Sequence, residues 1–203
     1  LMPDAHQLPP PDVDVLIVGA GISGISMAAH LHMRCPQLRY TVVERRAELG
    51  GTWDLFRYPG IRSDSDMYTL GFGFEPWTDA DAIASGDRIL RYLNRVVDSY
   101  AIRTHIQTGT RVLSANFDTH EAVWHVVVED RAGPRSLTAR FFYLASGYYD
   151  YDSPNDPAFP GAETFGGQIV HPQFWPENFD YSGKKVIVIG SGATAVTMVP
   201  AMA

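Results

Sequence analysis

The residues best placed to do chemistry are three glycines, Gly19, Gly21 and Gly24, which follow an apolar run at the G-x-G-x-x-G spacing. At a strand-to-helix turn, this spacing lets a pyrophosphate approach the backbone and meet the unpaired N–H groups of a helix N-terminus. Glu44 stands twenty residues past the third glycine, at the end of a second apolar run. A carboxylate there can accept hydrogen bonds from the ribose hydroxyls of an adenosine. The pattern therefore predicts a dinucleotide-binding β-α-β unit over residues 13–44.

A second copy of this pattern lies near the end of the chain. An apolar run over 185–189 predicts a strand, and Gly190, Gly192 and Ala195 follow it at the spacing G-x-G-x-x-A, which predicts the start of a helix. The chain stops at Ala203, inside that helix. A strand and most of a helix cannot bury their own faces, so we expect the sequence to be the N-terminal part of a longer protein.

Composition limits the kind of protein. The chain has 203 residues and a hydrophobic content of 45%, which suits one or two globular domains. The formal net charge is −7 and no cluster of Lys and Arg is present, which argues against nucleic acid as a partner. The sequence has neither an apolar run near the ~18 residues of a membrane span nor a signal peptide. A single cysteine, Cys35, suits a reducing cytoplasm. Peripheral membrane association and the oligomeric state stay open, and we expect no metal site.

The remaining periodicities predict an α/β fold. Apolar residues repeat at helical spacing over 85–100, which predicts a helix. Alternating apolar residues over 110–117 and 122–129 predict two strands joined by a polar turn. A third strand should return to the main sheet near Tyr143, which would complete a small antiparallel β meander. Residues 54–80 are rich in Gly, Pro, Asp and aromatic residues and lack a steady period, which predicts a mostly ordered loop that can include one helical turn.

Two fingerprints in one chain, the first followed by Gly50-Gly51-Thr52, resemble the layout of flavoproteins with two dinucleotide-binding domains. Among these, the disulfide reductases carry a cysteine pair just after the double glycine, where this sequence has Trp53. Residues 165–176 fit the pattern F-x-G-x-x-x-H-x-x-x-W-P at every fixed position. This pattern marks the type I Baeyer–Villiger monooxygenases, and residues 13–200 resemble that family.

The resemblance implies roles for the residues that match the family. The residues that would hold the ADP half of FAD are Gly19, Gly21, Ser23, Gly24 and Glu44, with Val112 meeting the adenine through its backbone. Those that would lie along the flavin are Thr52, Trp53, Asp54 and Leu55. Those that would face the nicotinamide half of NADPH are Arg62, Ser63 and Asp64. Those that would cradle its pyrophosphate are Gly190, Ser191, Gly192, Ala193, Thr194, Ala195 and Val196.

Two of the matching residues are implied to act in catalysis. Asp64 would lie close to the isoalloxazine ring and orient an arginine that the family carries beyond the second fingerprint. His171 would lie in the linker between the domains, where the motif couples domain motion to catalysis. The alternatives are an acid that caps N–H groups of a turn for Asp64, and a packed linker histidine for His171.

The resemblance also implies a domain organisation. The fold class would be a Rossmann-like FAD domain with a small antiparallel meander, plus the start of a second Rossmann-like domain. The expected segments are a flexible arm over 1–12, the FAD-binding domain over 13–160, a linker over 161–182 and the truncated NADP-binding domain over 183–203.

The implied function is that of an FAD- and NADPH-dependent monooxygenase. It would insert one oxygen atom of O₂ into a ketone through a flavin peroxide, giving an ester or lactone, or oxidise a thioether. One alternative is a truncated FAD-binding module without turnover, and we expect this chain alone to be inactive. Another is an N- or S-oxygenating flavin-containing monooxygenase, against which Trp175 and Pro176 argue.

Overall fold

The structure is a computed structural model that describes residues 10–155 and 157–203. The chain divides into two compact units. The first unit comprises the described residues up to Gly51 together with Arg91–Gly147, and the second comprises Thr52–Leu90 together with Tyr148–Ala203. Residues 1–9 of the predicted arm lie outside the described residues. The adjoining Asp12 accepts a hydrogen bond of 2.7 Å from the backbone N–H of Thr138.

The first unit is built on one sheet. Its strands are β1 (Val13–Val18), β2 (Tyr40–Val43), β3 (Ile106–Gln107), β4 (Arg111–Asp118), β5 (Val123–Asp130) and β6 (Gly133–Leu144). The six strands lie in the order β3-β2-β1-β6-β5-β4. β1 runs parallel to β2 and β6, while β4, β5 and β6 form an antiparallel meander. The α/β fold class and the return of the meander to the main sheet, both predicted from the sequence, are confirmed.

Five α-helices accompany the sheet and the loops in the described residues. They are α1 (Ile22–Arg34), α2 (Thr52–Leu55), α3 (Met67–Leu70), α4 (Gly86–Ser99) and α5 (Ala193–Met202). None of these helices combines the length and the apolar character that crossing a lipid bilayer would need.

The first β-α-β unit has the structure that its apolar spacing predicts. The middle of β1 is buried, and α1 buries Ile25, Ala28 and Leu31 on the side that packs on β1 and β2. The backbone N–H of Cys35 closes the helix on the carbonyl of Leu31, and Pro36 follows at once. Cys35 therefore lies at the end of α1, as expected of a small apolar residue there.

The long strand β6 explains how the meander joins the parallel part of the sheet. Its first part pairs with β5 from Gly133 to Ala139, and its last part pairs with β1 from Ala139 to Leu144. One buried cluster forms between these strands, made of Leu16, Val43, Val126, Val128, Leu137 and Ala139. The sheet thus holds the carboxyl end of β1 in place from both sides.

The second unit consists mainly of loops, short helices and α5. Its buried cluster contains Phe56, Tyr58 and Met198, with Trp175 packed against them. The predicted strand over 185–189 is not formed, and its Ile187 and Ile189 side chains are exposed. A strand needs a neighbour to complete its backbone hydrogen bonds, and the described residues provide none beside this segment.

Candidate nucleotide-binding sites

Two glycines of the first fingerprint are required by the fold itself. Gly19 has a φ of +105°, and a Cβ there would lie 2.4 Å from the carbonyl oxygen of Ala145. A Cβ on Gly24 would lie 1.8 Å from the carbonyl oxygen of Gly19. Backbone atoms cannot yield by that much, so these two glycines let β1, α1 and the end of β6 approach each other.

Gly21 is different, because the fold alone does not require a glycine there. Its φ of −79° and ψ of −170° are open to any residue. A Cβ would meet only Gly51, with its Cα at 3.6 Å and its backbone nitrogen at 3.9 Å, and both are ordinary contacts. The fold therefore leaves the lack of a side chain at Gly21 unexplained, whereas a group that approaches the backbone from outside would explain it.

Gly21 is also the N-cap of α1. No side chain caps this end of the helix. The N-terminal turn of a helix carries unpaired N–H groups and a partial positive charge, which together favour an anion such as a phosphate. Ser23, in the same turn, is exposed.

Glu44 is buried beside this turn at the end of β2, with 4% of its surface exposed. Its Oε2 accepts a hydrogen bond of 2.8 Å from the backbone N–H of Ala20, and its Oε1 accepts one of 2.9 Å from the backbone N–H of Arg46. The carboxylate thus fixes the glycine turn. Each carboxylate oxygen can accept a further hydrogen bond, so capacity for ribose hydroxyls remains.

Val112 lies at the start of β4, just after a residue that is hydrogen-bonded to the backbone of Glu44. The backbone N–H of Thr110 donates to the carbonyl oxygen of Glu44 at 2.8 Å, two residues before Val112. Val112 itself is half-buried, and the pairing of β4 with β5 shifts between Val112 and Ser114. The first unit therefore brings together the glycine turn, Glu44 and the start of β4, all of which the family resemblance assigns to one nucleotide.

In the second unit, Thr52, Trp53, Asp54 and Leu55 form the short helix α2. Asp54 is buried, and its Oδ1 lies 2.6 Å from Nη2 of the largely exposed Arg57. The other three residues are half-buried. The double glycine before the helix has positive φ at both Gly50 and Gly51, which few other residues would tolerate.

The three residues expected to face a nicotinamide differ in exposure. Ser63 is buried, and its hydroxyl oxygen accepts a hydrogen bond of 3.0 Å from the backbone N–H of Ala84. Its own backbone N–H donates to the carbonyl of Ala84 at 2.8 Å. Arg62 and Asp64, on either side, are exposed. Ser63 therefore stabilises the local backbone, and the exposed side chains of Arg62 and Asp64 can contact solvent or a ligand.

The second fingerprint begins α5 as its spacing predicts. A Cβ on Gly190 or Gly192 would meet no described atom within 4 Å, and no side chain caps the helix at Gly192. Ser191, Ala193 and Val196 are exposed, whereas Thr194 and Ala195 are half-buried.

The same helix approaches Gly60 closely. Gly60 has a φ of +75°, and a Cβ there would lie 2.5 Å from the carbonyl oxygen of Thr197. Both the positive φ and the close approach require a glycine at this position. The segment that ends at Gly60 is therefore packed directly on α5 within the second unit.

The segment 165–176 contains a short 3-10 turn, Pro172–Phe174. His171 caps it, because its Nδ1 accepts a hydrogen bond of 3.2 Å from the backbone N–H of Gln173. Trp175 packs on the core of the second unit, and its ring meets that of Phe179 edge-on, with 5.4 Å between centroids. His171 thus has a defined structural role, and Trp175 anchors the segment by packing.

Sequence reasoning missed two features of the second unit. One is the buried Gln173, whose Nε2 donates to the carbonyl of Asp150. The other is Tyr149, whose hydroxyl shares a hydrogen bond of 3.5 Å with that of Tyr148. This hydrogen bond, burial and the nearby negative charges of Tyr148, Tyr58 and Asp64 when ionised raise the pKa of Tyr149 to about 12. Neither has a sequence signal beyond the unusual Tyr148-Tyr149 pair, because both depend on tertiary contacts.

A group of metal-ligand types, Asp118, Glu121 and His125, also comes together, at the turn after β4. Asp118 accepts hydrogen bonds from the backbone N–H groups of His120 and Glu121, and Nε2 of His125 lies 3.1 Å from Oε2 of Glu121. The turn accounts for the position of Asp118, and the contact with Glu121 accounts for that of His125, so the absence of a metal site stays a prediction.

Comparison with known proteins places the chain in a class. The family model described as pyridine nucleotide-disulphide oxidoreductase matches residues 16–200, and the chain belongs to that family. A solved structure of OTEMO in complex with FAD and NADP superposes with a TM-score of 0.79 at 32% identity, over 96% of this chain and 37% of that one. Cyclohexanone monooxygenase superposes with a TM-score of 0.80 at 32% identity, over 94% of this chain and 37% of that one.

Within the class, the chain is similar to the FAD-containing monooxygenase EthA of Mycolicibacterium smegmatis. The two are 57% identical over 189 residues, which make up 93% of this chain and 38% of EthA. The chain thus spans little more than a third of the length of the curated relatives it matches. The resemblance to flavin-dependent monooxygenases drawn from the sequence is confirmed by these relatives.

Proposed function

We propose that this chain carries the FAD-binding part of an NADPH-dependent flavin monooxygenase. The observation that carries the proposal is the glycine at position 21. A bound pyrophosphate would explain the lack of a side chain at Gly21, whereas the fold does not require it. It lies at an uncapped helix N-terminus, beside the buried Glu44. The likeness to EthA and to OTEMO with FAD and NADP supports the same ligands here.

In this proposal the ADP half of FAD is held by the first unit. The pyrophosphate meets the backbone of the glycine turn, at Gly19, Gly21, Ser23 and Gly24. The carboxylate of Glu44 accepts hydrogen bonds from the ribose hydroxyls. The backbone of Val112 meets the adenine. The negative charge of Glu44 disfavours a nucleotide with a 2′-phosphate at this site, which assigns FAD rather than NADPH to the first fingerprint.

The second unit supplies the residues for the flavin and for NADPH. Thr52, Trp53, Asp54 and Leu55 would lie along the flavin, and Arg62, Ser63 and Asp64 would face the nicotinamide half of NADPH. The second fingerprint, from Gly190 to Val196, would hold the NADPH pyrophosphate at the N-terminus of α5. Ser63 would act mainly by fixing the backbone between Arg62 and Asp64, because its hydroxyl already binds Ala84.

When bound, FAD supplies the chemistry that takes a hydride from NADPH and activates O₂. The protein contributes binding, orientation and exclusion of water. Asp64 is proposed to hold a negative charge near the reacting ring, and His171 to couple the linker to catalysis. The reaction would give an ester or lactone from a ketone, or a sulfoxide from a thioether. The likeness to cyclohexanone monooxygenase favours the ketone.

The test is an oxygen-incorporation assay under ¹⁸O₂ on the complete monooxygenase that is proposed to contain this chain, with FAD, NADPH and either cyclohexanone or methyl phenyl sulfide. We expect one ¹⁸O atom in the lactone or in the sulfoxide for each NADPH consumed. The Gly21→Ala variant should lose activity in proportion to its loss of FAD. NADPH oxidation that yields hydrogen peroxide and neither product would contradict the proposal. A binding module without turnover would show FAD binding but no NADPH oxidation.

The location of the protein is proposed to be the cytoplasm, which a single half-buried cysteine suits.

A further inference from the structure

A buried glutamine joins the segment 165–176 to a loop that lies far from it in sequence. Gln173 is 6% exposed, and its Nε2 donates a hydrogen bond of 2.7 Å to the carbonyl oxygen of Asp150. A buried amide that loses its partner is costly, so such a bond is retained once formed. Gln173 occupies one of the variable positions of the F-x-G-x-x-x-H-x-x-x-W-P pattern, so the pattern itself gives it no role.

The same residue also holds the motif histidine. The backbone N–H of Gln173 donates to Nδ1 of His171 at 3.2 Å. A ring nitrogen that accepts a hydrogen bond carries no proton, so this contact assigns the proton of the neutral ring to Nε2. The backbone N–H at position 173 therefore orients the ring of His171, while the side chain of Gln173 makes the separate contact with Asp150.

The loop at the other end of this link is itself well fixed. The carboxylate of Asp150 accepts hydrogen bonds from the backbone N–H groups of Asp152 and Ser153, at 2.9 and 3.2 Å. The ring of Tyr149 meets that of Phe56 edge-on, with 5.0 Å between centroids. Phe56 follows α2 directly, and its backbone N–H binds the carbonyl of Thr52. The loop thus leads from Gln173 to α2.

We infer that Gln173 is a positioning residue that makes His171, the loop 148–153 and α2 move together. Its side chain connects the loop and its backbone connects the histidine, so a displacement of either is passed to the other. The consequence for catalysis rests on the proposed function, because it assumes that α2 lies along the flavin. The mechanical link itself does not depend on any cofactor.

Hydrogen exchange of single amides tests the link directly. The amides of Asp152 and Ser153 report on the loop, and those of Gln173 and Phe174 report on the motif segment. In Gln173→Met, which keeps the length of the side chain but removes its donor, we expect both pairs to exchange about fivefold faster, as for the loss of one hydrogen bond. Faster exchange at the motif pair alone would overturn the inference.

Gln168→Ala is the matched control, since Gln168 is an exposed glutamine of the same segment. It should leave both pairs unchanged. A second measurement needs no variant: in the wild-type protein the two pairs should share one opening free energy and one denaturant dependence. If the loop opens independently of the motif segment, the inference fails even where Gln173→Met does not fold.

A kinetic measurement separates positioning from general support of the fold. In the FAD-loaded protein, Gln173→Met should lower kcat about fivefold with an unchanged KM for NADPH, and this effect should vanish in a His171→Ala background. An equal effect in both backgrounds would show that Gln173 acts only on stability and would overturn the positioning role. If the protein proves to have no monooxygenase activity, the exchange measurements still decide whether the link exists.

Discussion

Replacing Gly21 by alanine should separate ligand binding from folding at the first fingerprint. The backbone angles at Gly21 are open to alanine, and the new Cβ would make only an ordinary contact at 3.6 Å. The same change at Gly24 places a Cβ 1.8 Å from a backbone oxygen. The two glycines are three residues apart in one turn, so comparing the two variants separates a glycine needed for ligand binding from a glycine needed for folding.

The expected magnitudes follow from these distances. At Gly21, alanine restricts the unfolded chain, which stabilises by about 0.4–1 kcal/mol, but it is a poorer N-cap by a similar amount. The free energy of unfolding should therefore stay within about 1 kcal/mol of wild type. At Gly24, overpacking against the backbone should cost about 3 kcal/mol or more. FAD affinity of Gly21→Ala should fall about 10- to 100-fold, the equivalent of one charge-assisted hydrogen bond to phosphate.

The assay combines urea denaturation with a fluorescence titration of FAD. Gly73→Ala serves as a control, because a Cβ on Gly73 would meet no described atom within 4 Å and should alter neither quantity. The reasoning would be refuted if Gly21→Ala bound FAD as tightly as wild type. It would also be refuted if Gly21→Ala lost as much stability as Gly24→Ala, since the fold would then explain the glycine.

Three further substitutions test other parts of the structure. Gly60→Ala should lower the free energy of unfolding by about 2–5 kcal/mol in urea denaturation, because alanine is strained at a φ of +75° and its Cβ would lie 2.5 Å from a backbone oxygen of α5. Tyr148→Phe should lower the pKa of Tyr149 from about 12 towards 10 in an NMR titration, because it removes the shared hydroxyl hydrogen bond; an unchanged value would contradict this origin. The hydrogen bond from Arg103 holds the pKa of the Asp98 carboxyl below its ordinary value, so the stability that this bond contributes is complete above the unfolded pKa and is lost as the pH falls through the lower folded pKa. Asp98→Asn should therefore flatten the dependence of stability on pH below about 4 in acid unfolding, and an unaltered acid profile would count against the pairing.

The sequence predicts the first β-α-β unit well because its determinants are local. The apolar run of β1, the helical spacing of α1 and the glycines at the turn each act within a few residues. The helix α4 and the strands β4 and β5 are confirmed for the same reason, since each repeats its apolar residues at the period of its own structure. The return of β6 to the main sheet is also confirmed. Because β2 pairs with one edge of β1, the other edge was left for an apolar third strand.

Long-range contacts account for what the sequence could not predict. The apolar run over 185–189 has the composition of a strand, but a strand forms only beside a partner, and its pattern cannot report whether one is present. Gln173 and Asp150 are 23 residues apart, and their hydrogen bond has no period or motif to indicate it. Ser63 matches its family position, yet its burial against Ala84 follows only from the fold.

The acid at the end of β2 illustrates why a matching motif residue is weaker evidence for a ligand than a glycine the fold does not need. Both oxygens of Glu44 accept backbone N–H groups, from Ala20 and from Arg46. A glutamine could satisfy only one of them, because its NH₂ group would face a second donor. The glycine turn therefore requires a carboxylate at this position whether or not a ribose binds to it. A Cβ at Gly21 would meet no such obstacle, so of the two residues it is Gly21 whose identity the proposed nucleotide would explain.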